Sequence, residues 1–193
     1  MEQKYIEGKS FEKTDFTKNH LPKAEYDHCT FINCDFSDSD LSEIKFMECG
    51  FESCNLSLAK LTNTVFRDIR FRNCKMLGLQ FENCNEFGLS ASFEGCNLNN
   101  SFFYQTKLKK TTFRNTKLHE TDFTGSDLSG SVFDNCDLEG AIFENTVIEK
   151  ADFQTAFNYS INPEKNRIKK AKFSLSGIAG LLDNYDIEID LKN

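Results

Sequence analysis

The feature of this sequence that most constrains its fold is a five-residue period of large apolar side chains. From Phe11 to Phe81 such a residue occupies every fifth position, and the series resumes in a shifted register at Phe93 and continues to Phe153. A small residue usually lies two positions before each large one. Internal repeats have to be recognised first, because a missed repeat leads to a wrong fold.

A period of five fits neither an α-helix nor a flat β-strand. Helical faces recur every three or four residues and strand faces every two. A five-residue unit that always directs one large side chain inward therefore needs a turn in each unit, and four units close a square coil. Residue types also recur every twenty positions, as in the column Phe93, Phe113 and Phe133. The pattern predicts an all-β, right-handed quadrilateral β-helix whose coils pair about 4.8 Å apart.

The regular pattern predicts about seven coils over residues 9–155, in a solenoid domain that spans residues 1–155. The period breaks at residues 84–92, because the step from Phe81 to Phe93 is two residues longer than two repeats, with Phe87 in its middle. We interpret this break as one or two single-residue bulges that use the backbone freedom of Gly88. A binding feature is the alternative.

Residues 156–193 lose the period and predict an excursion, a short capping helix and a C-terminal tail. Ser174–Tyr185 has helical spacing with a serine cap, and Asp186–Ile189 alternates like a short strand. Open solenoid ends must be covered, so this tail is expected to cap the last coil and to join two copies of the chain. The residues expected to divide their burial between cap and homodimer are Ile178, Leu181, Leu182 and Tyr185.

Composition limits the classes of function. The 193 residues carry a net charge of −7, which argues against direct nucleic-acid binding, since such proteins usually present a basic surface. Neither a membrane-spanning run nor a secretion signal is predicted, so we expect a cytoplasmic protein. Seven of the eight Cys occupy the small inward position, which predicts buried, reduced thiols without a disulfide or a metal. Catalytic and cofactor motifs are missing, so neither an enzyme nor a cofactor is expected.

Single units show a common order of residue types. Ser126–Gly130 (SDLSG) and Cys136–Gly140 (CDLEG) read small residue, Asp, Leu and two further residues. In this respect about residues 9–155 resemble the pentapeptide repeat family, and the resemblance implies the four-sided solenoid.

Acidic side chains are concentrated between His119 and Phe153, where nine of them occur. Acids at regular spacing can resemble the phosphates of a duplex and attract a protein groove built for DNA. The alternative is an acidic surface that only keeps the protein in solution. By their positions in the units these acids encircle the rod. They are Glu120, Asp122, Asp127, Asp134, Asp137, Glu139, Glu144, Glu149 and Asp152.

In size, acidity and tail the chain is similar to the freestanding Qnr-type and MfpA-type members of that family. Those proteins are dimeric, acidic DNA mimics that bind DNA gyrase or topoisomerase IV and protect them from quinolones. The resemblance implies a type II topoisomerase as partner. The chain differs from the proteobacterial Qnr pattern because it has no long projecting loops. The alternative function is a structural scaffold for an unrelated cytoplasmic protein, because function lies in sites and not in folds.

Overall fold

The computed structural model describes residues 4–87, 89–185 and 187–189, and these residues form one solenoid of stacked square coils. All strand pairings among them are parallel, and partners lie about one coil apart, as Tyr5 and Glu25 do. The predicted fold class is confirmed. The strands are β1 (Tyr5–Glu7), β2 (Ser10–Glu12), β3 (Glu25–Asp27), β4 (Thr30–Ile32), β5 (Lys45–Met47), β6 (Gly50–Glu52), β7 (Val65–Arg72), β8 (Leu89–Glu94), β9 (Thr112–Arg114), β10 (Val132–Asp134), β11 (Asp152–Phe153) and β12 (Lys172–Phe173).

The corners of the square are made by residues in the left-handed backbone region. Such a residue lies two positions after most of the inward large side chains, and φ at these positions lies between 48° and 71°. Asn and Gly are frequent there because they adopt this conformation at little steric cost. Leu58 and Lys110 adopt it as well, although their side chains make it less favourable. One left-handed residue in most units turns the chain by a quarter, which explains a period of five.

Columns of stacked rings fill the interior. The ring centroids of Phe93 and Phe113 lie 5.1 Å apart, and those of Phe113 and Phe133 lie 4.9 Å apart. Rings from neighbouring columns meet edge to face, as Phe103 and Phe113 do at 6.3 Å. Stacked and edge-to-face pairs each add about 0.5–1.5 kcal/mol beyond the burial of their area. The predicted stacking of this column is confirmed.

The two extra residues of the broken period are absorbed between β7 and β8. The register of these strands shifts between the pairs Phe66–Leu89 and Ile69–Ala91. A 3-10 helix, Phe81–Asn83, precedes the shift. The irregularity therefore lies where the sequence predicted a bulge, although Gly88, which we expected to supply backbone freedom, lies outside the described residues.

Phe87, in the middle of the break, does not belong to the inward series. Its side chain is 84 % exposed. Leu89, two residues later, packs against the core and pairs with Phe66 instead. The reason is the register shift, which moves the inward position from the middle of the break to its end.

The parallel pairing extends beyond the residues that show the regular period. It begins at Tyr5 and continues to Phe173, whose ring stacks on Phe153 at 5.4 Å. The solenoid consequently has about eight turns, where the period predicted about seven. Smaller or atypical residues at both ends, such as Ile6 and Ile168, hide the pattern in the sequence although they still pack against the core.

The tail covers the last coil with two 3-10 helices, Ile178–Leu181 and Asp183–Tyr185, instead of one longer helix. The backbone amide of Ile161 donates to the carbonyl of Gly180 at 2.8 Å. A Cβ atom at Gly180 would overlap the carbonyl oxygen of Tyr159, so only glycine permits this close approach. Within the predicted final strand, residues 187–189 form no strand and Asp186 lies outside the described residues. No helix in the described part is long and apolar enough to cross a bilayer.

Candidate functional site

The acidic residues proposed for partner binding are distributed around the solenoid. Their positions follow the coil register: Asp122 forms a bridge with Ile142, and Asp137 forms one with Lys117 on the next face. Asp152 pairs with Val132 on a third face. The structure therefore does not bring the nine acids together on one side.

Five of the nine carboxylates form ion pairs with a Lys or Arg from a neighbouring coil, and a sixth contacts the ring of His119. Their N–O distances range from 2.7 Å to 3.1 Å. Exposed pairs of this kind stabilise a protein by about 0–1 kcal/mol, but each pair reduces the negative field that a partner would meet. The pairs are Asp127–Lys109, Asp134–Arg114, Asp137–His119, Glu144–Lys165, Glu149–Arg167 and Asp152–Lys172.

Three acids, Glu120, Asp122 and Glu139, have no ion pair among the described residues. Glu120 and Glu139 are exposed, and a Cβ atom at Gly140 would lie 2.5 Å from Oε1 of Glu120. Glu120 and Glu139 therefore lie near each other at one corner, and Asp122 follows on the adjacent face. We call these three residues the acidic corner. It is the part of the predicted surface whose charge is not neutralised by the chain itself.

The acids that precede an inward residue also close the repeat turn. The carboxylate of Asp122 accepts the amide of Thr124 at 2.8 Å, and that of Asp127 accepts the amide of Ser129 at 3.1 Å. Burial opposes the ionisation of Asp127, but its hydrogen bonds with Ser129 and its pair with Lys109 prevail and lower its pKa. The Asp position of the repeat thus has a structural role in addition to any role in binding.

The insertion forms a second candidate surface, which we call the insertion pocket. Lys107 lies 5.7 Å above the ring of the exposed Phe87 and forms a 2.6 Å ion pair with Glu86. Beside them is a cavity of about 400 Å³ that Tyr104 and Glu82 also line. Oε2 of Glu82 is shielded from solvent without a hydrogen-bond partner among the described residues, and burial raises the pKa of this carboxyl. The break in the period indicated the location but not the pocket.

The proposed cap and dimer residues are partly covered by the last coil. Leu181 packs against the core and Leu182 is half-buried, whereas Ile178 and Tyr185 are exposed. The hydroxyl of Tyr185 donates to Oε1 of Glu164 at 2.8 Å. Two of the four residues therefore contribute to the cap, and two are available to a partner.

All eight cysteine side chains are buried, seven of them at the small inward position as predicted, and Cys84 beside the break as well. Their thiols donate weakly to main-chain carbonyls: Cys136 Sγ lies 3.3 Å from the oxygen of Phe113, and Cys49 Sγ lies 3.3 Å from that of Tyr26. Burial raises the pKa of Cys49 and of Cys136 to about 12. These thiols are therefore protonated core groups and not nucleophiles.

One cluster escaped the sequence analysis altogether. His119, Asp137 and Glu139 place one nitrogen and two carboxylate oxygens within 4.8 Å of one another. The residues are distant in sequence, and no metal-binding spacing relates them. Only the coil length of twenty would have indicated that His119 lies beneath Glu139.

These features define a parallel, four-sided β-solenoid with a filled core and its polar groups on the outside. The family model described as pentapeptide repeat region matches residues 24–86 and 89–161. This chain belongs to the pentapeptide repeat family. That family consists of non-catalytic repeat scaffolds.

Two solved structures show how widely the fold is shared. QnrB1, described as a plasmid-mediated fluoroquinolone resistance protein, is 19 % identical, with a TM-score of 0.63; the match covers 95 % of this chain and 100 % of QnrB1. HetL, a pentapeptide repeat protein involved in heterocyst differentiation regulation in the cyanobacterium Nostoc, is 16 % identical, with a TM-score of 0.61 and 91 % and 88 % coverage. At these identities the likeness concerns the fold. No curated protein matches the chain in sequence.

Proposed function

We propose that this protein is a cytoplasmic, DNA-mimicking rod that binds a type II topoisomerase, DNA gyrase or topoisomerase IV, and modulates quinolone susceptibility. The observation that supports it best is the acidic corner. Glu120, Asp122 and Glu139 present charge that the chain does not neutralise, on a rigid backbone and in a protein of net charge −7. A groove that grips DNA is basic and attracts such a surface.

The dimensions of a dimer support the same proposal. About eight turns at about 4.8 Å make each arm about 38 Å long, so two arms joined at their ends would span about 77 Å. At 3.4 Å per base pair this length equals about 23 base pairs of duplex. Ile178 and Tyr185 remain exposed at the C-terminal end, beside the exposed Leu175. A two-fold contact through this end is the simplest closed association, and it would bring the second halves of both arms to the centre.

A scaffold with another protein partner is the second candidate, and two observations favour it. Ion pairs with Lys or Arg neutralise five of the nine acids, which leaves less negative field than the sequence suggested. The insertion pocket, which Leu89 and Tyr104 line, and the exposed ring of Phe87 beneath Lys107 offer apolar contacts that DNA mimicry does not require. A partner that recognises this pocket would be selected by shape and not by charge alone.

The first experiment measures gyrase supercoiling with increasing amounts of the purified protein, with and without ciprofloxacin. The proposal expects a change in activity or protection from the drug, and binding that weakens as salt rises because exposed charges dominate it. Unchanged gyrase and topoisomerase IV activity in large excess of the protein would contradict the proposal.

A matched pair of triple variants tests the acidic corner. In one variant Glu120, Asp122 and Glu139 are changed to Lys, and in the other Glu12, Asp38 and Glu52 are changed to Lys. The control acids are exposed and have no ion pair among the described residues, so both variants change net charge equally. Because Asp122 is half-buried and closes a repeat turn, circular dichroism first verifies that the corner variant is folded. The corner variant should lose topoisomerase binding and the control should retain most of it. If both variants lose topoisomerase binding equally, net charge alone is responsible. If the corner variant still binds as tightly as the wild type, the scaffold is favoured.

The predicted homodimer is tested separately by size-exclusion chromatography with light scattering, which measures the mass of the protein in solution. Changing Ile178 to Asp should convert a dimer to a monomer while the solenoid stays folded, because this side chain is 40 % exposed. A wild-type protein that is monomeric at all concentrations would exclude the two-armed rod.

A further inference from the structure

The cluster of His119, Asp137 and Glu139 has the composition and spacing of a metal site. We propose that these three side chains bind one divalent first-row transition ion of the zinc class. Their ligand atoms all lie within 4.8 Å of one another. Donors bound tetrahedrally at about 2.1 Å are about 3.4 Å apart, so rotation of the side chains suffices to close the site.

The solenoid positions the three residues by its register. His119 lies one coil beneath Glu139, because twenty residues separate them, and Asp137 flanks Glu139 across the inward Leu138. Main-chain hydrogen bonds join the two coils here. The amide of Glu120 donates to the carbonyl of Glu139 at 2.9 Å, and that of Leu118 donates to the carbonyl of Asp137 at 2.9 Å. Asp137 lies in an isolated β-bridge, and His119 and Glu139 lie in the repeat turns that follow, so the hydrogen-bonded coils hold all three residues and little ordering is needed when an ion binds.

The imidazole provides the second observation. Nε2 of His119 lies 2.7 Å from Oδ2 of Asp137, yet it is shielded from solvent and forms no hydrogen bond of suitable direction among the described residues. With the ring proton on Nδ1, Nε2 carries a lone pair that faces the Asp137 carboxylate. An ion between His119, Asp137 and Glu139 would then be bound by both groups.

A neighbouring side chain fixes the orientation of the Asp137 carboxylate, as is usual for carboxylates that bind a metal. Nδ2 of Asn158, from the next coil, donates to Oδ1 of Asp137 at 2.8 Å. This hydrogen bond leaves Oδ2 directed at the imidazole. Partners of this kind orient the ligands of a metal site, and their loss weakens binding by about 10–100-fold.

The donor set indicates the class of ion. Imidazole nitrogen suits Zn²⁺, Cu²⁺, Ni²⁺ and Fe²⁺, whereas Mg²⁺ and Ca²⁺ prefer oxygen ligands alone. Three protein ligands leave at least one position on the ion open to water or to a carboxylate of another molecule. The proposed site therefore binds an ion at the surface and could present it to a partner.

The same chain contains a matched control in His28. Its ring also lies between two carboxylates, with Nδ1 2.8 Å from Asp27 and Nε2 3.2 Å from Glu48. These carboxylates contact opposite nitrogens of the ring, so the three groups cannot converge on one ion. His28 therefore has similar charges but lacks the geometry.

The experiment titrates the reduced, metal-free full chain with Zn²⁺ by calorimetry and with Co²⁺ by visible absorption. We expect one ion per chain, cobalt d–d bands without a thiolate charge-transfer band, and little competition from Mg²⁺ or Ca²⁺. His119→Ala and Glu139→Gln should weaken binding at least about tenfold, and His28→Ala should not change it. Circular dichroism verifies that each variant is folded.

Nitrogen chemical shifts of the three histidine rings in the wild-type chain give a test that needs no variant. Zinc should shift the ring of His119 and leave those of His20 and His28 unchanged. The proposal would be overturned by no binding, by a thiolate band that places the ion among the cysteines, by equal loss in His28→Ala, or by an unshifted His119 ring. Because these measurements use no topoisomerase, they are independent of the proposed partner.

Discussion

Replacing Phe123 by Ala should destabilise the solenoid strongly. The ring is fully buried and stacks on Phe103 at 5.3 Å and on Phe143 at 5.2 Å. It also meets Phe113 and Phe133 edge to face, at 6.2 Å and 6.1 Å. The substitution therefore leaves a cavity that borders four rings on three successive coils, and these cannot collapse without moving the backbone ladder.

The magnitude follows from burial and stacking. Phe→Ala in a core costs about 3–5 kcal/mol, and the upper part of this range applies because two stacked pairs are lost as well. Phe123→Leu should cost less than Phe123→Ala, because it leaves a smaller cavity, although it also removes both stacked pairs. Leu61 occupies the same column in the first half, where it is fully accommodated.

The assay is urea unfolding followed by far-ultraviolet circular dichroism and tyrosine fluorescence, since the chain has no Trp. Phe87→Ala is the matched control: it removes the same ring from a position that is 84 % exposed and should change stability by less than about 0.5 kcal/mol. If Phe123→Ala and Phe87→Ala cost the same, the assignment of the stacked columns as the source of stability would be refuted.

Three further predictions concern the thiols, the cap and pH. Cys49 and Cys136 should react with a thiol reagent only after denaturation, because burial raises each pKa to about 12; rapid labelling of native protein would contradict this. Gly180→Ala should detach the tail and remove hydrogen-exchange protection from residues 174–185, whereas Gly50→Ala, whose Cβ would meet its nearest neighbour at 3.9 Å, should not. The lowered pKa of Asp127 stabilises the fold above the ordinary carboxyl pKa of about 4, so the free energy of unfolding should fall as the pH drops below that value, and less steeply in Asp127→Asn; identical pH profiles would refute this.

The sequence was sufficient to predict the fold because the interior repeats a single rule. Phe93, Phe113 and Phe133 lie twenty residues apart, and their stacking required no information beyond that spacing. This spacing did not identify the inward residue at the break, where the register of the first half changes to that of the second. At the break, Phe87 and Leu89 are both apolar, and only the pairing of Leu89 with Phe66 shows which of them is inward.

The candidate surface was less predictable, because its properties depend on neighbours one coil away. Asp134 was recognised as an acid, but its pair with Arg114 requires the outward directions of both side chains. The contact between His119 and Asp137, eighteen residues apart, was missed for the same reason. Counting charges along the chain therefore overstates the negative field of a solenoid. Comparing each charge with those twenty residues away, on the neighbouring coils, identifies the ion pairs and gives a better estimate of the field.

The uniform register has a consequence for how the chain folds. Partners in the ladder are twenty to twenty-three residues apart, from Tyr5–Glu25 to Phe66–Leu89. Divided by the chain length, this separation is about 0.1, a relative contact order typical of helical bundles and lower than that of most all-β proteins. Each described strand pairs with a segment close to it in sequence, so a coil can dock as soon as the preceding one is formed. A chain with one more coil would face the same short search at every step, and length by itself should slow its folding little.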